Sequence, residues 1–489
     1  MGKKMAKKIA IIGAGIYGCQ IALTLKEQGF EVILYEKNEM ILSEISGNFG
    51  IRLHEGLHYP RSSKTRKSCL RGRQEFEATY PELVNNHDHS LYGLSNIDAT
   101  NSPSKVTPEQ FKKLASESSD FKIVEDVSEF GYTNLTTAID TKEPTLVLGA
   151  KLRKGFNLHL QNKKIDLRLS TKITRIDRVE NGQFLIITDK GEEAVFDEVV
   201  NATSYKQFLP EDPLPFNMRI VYQACTALVY EDLQEKERGK ARPFIIMDGW
   251  FPCFMPYDDS ENIDSNKNST YIVTHGSYTI IGTRDTEKET SEFLEKTLED
   301  QAREKEVREN SENHLCEFWP AFKERFKYTK WIGTVLAKIV SDTEFRSAIT
   351  FKAKNGMIYV IPGKLNNIFD IAREVTHLIS KMASDQSILS ESGFQYVQGG
   401  LLDEGHDEIL KKPEDISRNT CFLQTKESAS IMQKGVSFFN LPSNEEKSTP
   451  LKINANSKKV VFPFFSEEKC VVGYDGPIAF VPAICGGPN

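Results

Sequence analysis

Lys7-Lys8-Ile9-Ala10-Ile11-Ile12 runs straight into Gly13-Ala14-Gly15-Ile16-Tyr17-Gly18, and this stretch decides the fold. A short β-branched run bounded by glycine reads as a buried parallel strand, and the residues after it read as a helix. Gly13, Gly15 and Gly18 stand in the G-x-G-x-x-G order. The first permits a tight turn, the second lets backbone approach a pyrophosphate, and the third lets helix pack on strand. The helix start then offers N–H groups and the positive end of its dipole to phosphate. A second strand, Glu31-Val32-Ile33-Leu34-Tyr35, ends at Glu36. That is about 20 residues past the glycines, where an acid can hold a ribose hydroxyl. Strand, glycines, helix, strand and acid together specify an adenine dinucleotide site.

The 489 residues exceed one simple core, so two or three domains are expected. A hydrophobic share of 39% with 27% charged residues is that of a globular chain, and a net charge of −7 argues against a nucleic-acid partner. No run approaches the ~18 apolar residues of a membrane span, so no transmembrane segment is expected. Lys3, Lys4, Lys7 and Lys8 precede an apolar run too short and too glycine-broken for a signal peptide. The eight cysteines are scattered without a C-x-x-C pair, which points to reduced thiols, a cytoplasmic location and no metal or disulfide framework.

Farther along, Leu70, Phe76 and Tyr80 suggest an amphipathic helix over 62–81, and residues 84–145 read as polar and mixed. A helix is expected near 146–160, followed by short strands at 166–169, 173–179, 184–188 and 197–200. From 216 to 285 the chain reads as β, with a polar, mobile loop at 258–268. The charge-dense 285–313 reads as the solvated face of a helix, with strands returning at 331–340 and 357–360 and a helix at 366–383. Residues 390–489 carry little periodicity beyond short strands near 460–464 and 470–472.

Five ordered motifs give these elements a family likeness. They are the Gly13–Gly18 loop with Glu36; Leu53-His54-Glu55-Gly56-Leu57-His58-Tyr59; Asp197-Glu198-Val199-Val200-Asn201-Ala202-Thr203; Ile280-Ile281-Gly282-Thr283-Arg284-Asp285-Thr286; and Phe345-Arg346-Ser347 followed by Gly356 to Leu365. Over residues 7–384 the chain resembles the D-amino-acid-oxidase-like FAD oxidoreductases. Within them it is most similar to flavin-dependent glycerol-3-phosphate and L-2-hydroxyglutarate dehydrogenases. The resemblance implies an α/β fold: a Rossmann-like FAD domain of the glutathione-reductase type from 1–80, 140–210 and 340–384, an inserted β-rich substrate domain at 211–339, and a C-terminal extension at 390–489 of unassigned role. The implied FAD contacts are Gly13, Ala14, Gly15, Tyr17, Gly18, Glu36, Lys37, Asn48, Leu53, His54, Ile173, Ala202, Thr203, Gly363, Lys364, Leu365 and Asn366. The chain departs from the pattern at Gly47-Asn48-Phe49-Gly50, at Glu55, at Pro362 and at Asn366-Asn367, all close to the flavin ring.

The same resemblance makes His54, Arg346 and Lys364 the catalytic candidates. Oxidation at a flavin needs the substrate C–H held over N5, a group to take the hydroxyl or amine proton, and a cation for a substrate anion. His54 is the candidate base or hydrogen-bond partner. Arg346 offers a planar fork to a carboxylate or phosphate, and Lys364 a point charge. Arg61, Lys64 and Arg66 read as a solvated helical turn, His275 as a hairpin-tip structural residue, and His87-x-His89 as no metal site. The expected reaction is hydride transfer from a small anionic 2-hydroxy acid or polyol phosphate to FAD, with the electron acceptor open. The alternatives are an amino acid or secondary amine substrate, and a redox-inactive flavoprotein acting as an interaction module. A nicotinamide enzyme fits less well, because one dinucleotide loop occurs and the later motifs resemble flavin contacts.

Overall fold

The computed structural model describes residues 6–49, 52–57, 59–60, 63–116, 120–211, 214, 219–234, 242–247, 249–257, 270–340 and 348–380, with short strands at 395–398, 459–460 and 472–473. The loop expected at 258–268 and most of 390–489 lie outside the described residues.

Two large sheets organise the chain. In the first, Lys8–Ile12 lies centrally, parallel to Glu31–Tyr35 on one side and to Glu198–Asn201 on the other. Asp166–Arg168 extends it beyond Glu31–Tyr35, and Ile358–Ile361 beyond Glu198–Asn201, both parallel. Ile349–Lys352 and Gln395–Gln398 close that edge antiparallel. Ile9, Ala10, Ile11 and Ile12 are all buried, as a strand covered on both faces requires. Each such isoleucine contributes roughly 1.5–3 kcal/mol of burial. The helix Ile16–Glu27 covers one face, alongside Ile368–Ser380. A three-stranded antiparallel meander, Ile173–Arg178, Phe184–Thr188 and Glu193–Phe196, connects two of the parallel strands.

The second sheet is mainly antiparallel. Its long strand Arg219–Asp232 pairs with Phe326–Val340, Ile280–Arg284 and Thr270–His275. The sheet continues through Pro252–Pro256 and Phe244–Met247 to Ser90–Leu94, Thr137–Thr141 and Phe121–Val124. Residues 84–145, read as polar and mixed, therefore supply three strands of this sheet and the helix Pro108–Ala115. Burial hides their period: Ser90–Leu94 and Thr137–Thr141 are buried at every position, so no alternation shows. The charged run expected as one helix is two, Glu287–Leu298 and Gln301–Phe318. Asp300 separates them by capping the second, its Oδ1 accepting from the N–H groups of Ala302 and Arg303, each at 3.0 Å.

Candidate active site

The glycine loop sits at the C-terminal end of Lys8–Ile12. Gly13 holds a φ of +102°, and a Cβ there would lie 2.8 Å from the Ala202 carbonyl oxygen. A Cβ on Gly18 would lie 1.9 Å from the Gly13 oxygen. These two glycines are demanded by the protein itself. Gly15 is different: its Cβ would meet only Ser46 Oγ, at 3.5 Å. The space beside it opens into a cleft whose wall includes Gly13, Glu36, Thr171, Ile173, Ala202 and Thr203. The helix beginning at Ile16 has no side-chain cap from its Gly15 N-cap. Ser46 Oγ accepts the Ile16 N–H at 3.2 Å, and a helix start beside open space can seat a phosphate.

Glu36 is buried at the lip of the cleft, where its Oε2 accepts from the Ala14 N–H at 2.9 Å and its Oε1 from the Asn38 N–H at 3.0 Å. Its remaining lone pairs can accept from a ribose hydroxyl. Glu44 bridges the mouth of the cleft, 2.9 Å from Lys37 and 2.8 Å from Lys206. Burial opposes its ionisation, but the two lysines prevail and hold its carboxyl at about 2.

A second group of residues gathers around His54. Tyr17 reaches it from the first helix: its hydroxyl donates to the Lys364 carbonyl at 2.5 Å and accepts the Gly363 N–H at 3.3 Å. Lys364 is buried, its Nζ 4.4 Å above the Tyr59 ring. The His54 ring lies 5.7 Å from the same tyrosine. Burial, and then the charges of Arg52 and Lys364, push the His54 imidazole well below its ordinary pKa. His54 is therefore neutral at physiological pH, its protonation opposed by burial and by the two neighbouring cations.

The departures from the family pattern have structural partners. Asn366 donates from one amide nitrogen to the carbonyls of His54 at 2.9 Å and Cys69 at 2.8 Å, and Asn367 donates to Ser68 Oγ at 3.2 Å. Glu55 is buried and paired with Arg73 of the helix Ser63–Thr79. Asn48 donates to the Ser43 carbonyl at 3.1 Å, which ties its loop, and Leu53 is fully buried in the core.

Sequence reasoning missed a buried polar group behind His54. Glu143 accepts from the Glu55 N–H at 3.0 Å, from the Tyr92 hydroxyl at 2.5 Å and from Arg52 at 3.5 Å. Arg52 also donates to the Tyr92 hydroxyl at 2.5 Å. Only Arg52 lay near a motif; Tyr92 and Glu143 come from the stretch read as polar and mixed. Arg66 is a correction. It is buried, not solvated, because its guanidinium donates to the Tyr59 and Pro60 carbonyls at 2.9 Å each as the chain turns onto the helix. Arg346, His58 and Arg61 lie outside the described residues, as does the Lys64 side chain.

A phosphate seat, a ribose acceptor and a neutral histidine beside a buried lysine together suit a flavin dinucleotide. The comparisons agree. A sequence model of the FAD-dependent oxidoreductase family matches residues 8–348, and the chain belongs to that family, an FAD-binding Rossmann-like domain with a substrate domain. It is 40% identical over 423 residues to the FAD-dependent monooxygenase kojA of Aspergillus flavus, covering 86% of this chain and 96% of that one. Among solved structures it resembles the L-alpha-glycerophosphate oxidase of Mycoplasma pneumoniae with FAD bound, at a TM-score of 0.56 and 15% identity, covering 78% of this chain and 96% of that one. It also resembles the L-proline dehydrogenase of P. horikoshii, at 0.55 and 15%, covering 77% and 94%. The protein is an FAD-dependent oxidoreductase.

Proposed function

We propose that the enzyme oxidises a hydroxyl-bearing carbon of a small anionic substrate, a 2-hydroxy acid or polyol phosphate, by hydride transfer to FAD. One observation carries this reading: a neutral, buried His54 beside the buried cation of Lys364. Bound FAD supplies the hydride acceptor. The chain supplies the rest. His54 takes the hydroxyl proton, Lys364 offsets the hydration lost by the substrate anion, and Arg346 is assigned as its second anchor. The Gly13–Gly18 loop and Glu36 hold the dinucleotide.

The test is anaerobic addition of sn-glycerol 3-phosphate, L-2-hydroxyglutarate, glycine or L-proline to the yellow protein. Bleaching by either of the first two supports the proposal, and bleaching by an amine instead transfers the reading to amine oxidation. A second reading, insertion of one oxygen atom from O2, is favoured by the relative called a monooxygenase. In that case no substrate alone bleaches the flavin, and reduction requires an added nicotinamide donor.

A further inference from the structure

We propose that Asn366 is a positioning residue for the candidate base: its side-chain amide, clasped between the main-chain carbonyls of His54 and Cys69, sets the place and burial of the His54 imidazole. The inference rests on the role given to His54 above.

Two carbonyl oxygens face one end of the Asn366 amide, at 2.9 and 2.8 Å. Only the nitrogen can stand between two acceptors, so the network fixes the orientation of this amide. The contact joins three separate pieces of chain: the His54 segment, the helix Ser63–Thr79 that carries Cys69, and the turn Leu365–Asn367. The helix presses close to that turn, since a Cβ on Gly72 would lie 2.0 Å from the Asn366 carbonyl oxygen. Asn366 is 1% exposed, which leaves no room for a longer amide.

No other side chain of this size does the same work. A threonine or serine hydroxyl donates one hydrogen bond, and an ionised aspartate donates none. The other end of the amide makes the point sharper. Asn366 Oδ1 is buried and has no hydrogen-bond partner among the described residues, a condition that carries a desolvation cost. The residue keeps that cost together with its two donated bonds. The same turn carries Lys364, whose Nζ sits over Tyr59, and Arg52, Lys364 and Tyr59 are among the described groups around His54. Release of the clasp frees the His54 carbonyl and lets the imidazole move away from these charges into water. Asn367 serves as the control, because among the described residues its amide reaches the Ser68 side chain and neither carbonyl of the clasp.

Hydrogen exchange at the imidazole C2 position, read by mass spectrometry on the His54 peptide across pH, reports both access and pKa. It is measured on FAD-loaded wild type, Asn366→Ala, Asn366→Asp and Asn367→Ala. Wild type is expected to exchange slowly, with a midpoint well below the ordinary imidazole value. Asn366→Ala should exchange at least tenfold faster with its midpoint raised toward ~6.5. Asn366→Asp should match it at neutral pH, and Asn367→Ala should match wild type. Should Asn366→Ala not fold, Asn366→Thr, with one donor left, should give an intermediate rate. A folded Asn366→Ala or Asn366→Thr with unchanged rate and midpoint overturns the proposal, as does an equal shift in Asn367→Ala. Flavin reduction by sn-glycerol 3-phosphate in His54→Gln separates the two ideas. A wild-type rate there ends the base reading, while C2 exchange still decides whether Asn366 holds His54.

Discussion

At the scale of single residues, Gly15 and Gly18 of the opening loop make opposite predictions. At Gly15 a Cβ finds only Ser46 Oγ, at 3.5 Å, so Gly15→Val places its first side-chain carbon without a clash. The apoprotein should keep its melting temperature to within about 2 °C, yet lose the yellow colour because the side chain blocks the pyrophosphate path. Gly18→Ala places a carbon 1.9 Å from the Gly13 oxygen, so it should destabilise the apoprotein by about 1–3 kcal/mol. Equal melting curves for the two variants would contradict this. His54→Gln should retain FAD and slow flavin reduction by ~10²–10⁴-fold. His54 is already neutral, so the wild-type reduction rate should stay level as pH falls from 8 to 6. A loss with a midpoint near the ordinary imidazole value would show that His54 titrates freely.

Among the elements, the hairpin end at His275 and the helix Gln301–Phe318 are joined by a buried pair of imidazoles, His275 Nε2 and His314 Nδ1 at 2.8 Å. Burial lowers both, that of His314 to about 4, with Asp98 pulling weakly the other way. The sign follows. The unfolded chain takes up protons below ~6.5 that the folded pair refuses. Their stabilisation is therefore complete above that pH and is lost as pH falls toward 4. Melting temperature against pH should descend less steeply between 6.5 and 4 in His314→Gln than in wild type; parallel curves would count against the pair. This contact was illegible in sequence, where His275 and His314 are single residues in unlike segments. The opening β-α-β unit was legible, because its glycines and β-branched runs report directly on backbone. The strands Ser90–Leu94 and Thr137–Thr141 were not, since burial on both faces removes alternation and Asp140 disguises a core strand. Its polarity is absorbed by His89 at 2.6 Å and the Ser90 N–H at 3.2 Å. Of the candidate site, the loop and the His54 motif could be picked out in sequence, while Glu143 and Tyr92 reach Arg52 only through folding.

For the whole molecule, we propose that the two sheets divide the labour, the first holding FAD and the second covering the substrate. The second sheet is not confined to 211–339. Phe244–Met247 pairs in parallel with Ser90–Leu94, which continues to Thr137–Thr141. A fragment of residues 211–340 would expose that edge strand and should be insoluble or unfolded when expressed alone. A soluble, cooperatively melting fragment would refute this. Among the described residues no helix is long and apolar enough to cross a membrane.

The pairing order of the first sheet also governs how the protein must be made. Lys8–Ile12 neighbours Glu198–Asn201, which neighbours Ile358–Ile361. On the ribosome, the opening strand waits for about two hundred residues to be synthesised before its second partner exists. It waits again, by nearly as much, before the edge beyond that partner is covered. Until then the nascent chain carries an apolar strand pair with one bare side, open to wrong partners and to capture by chaperones. Productive yield should thus depend on elongation rate and chaperone supply more than on the equilibrium stability of the finished fold.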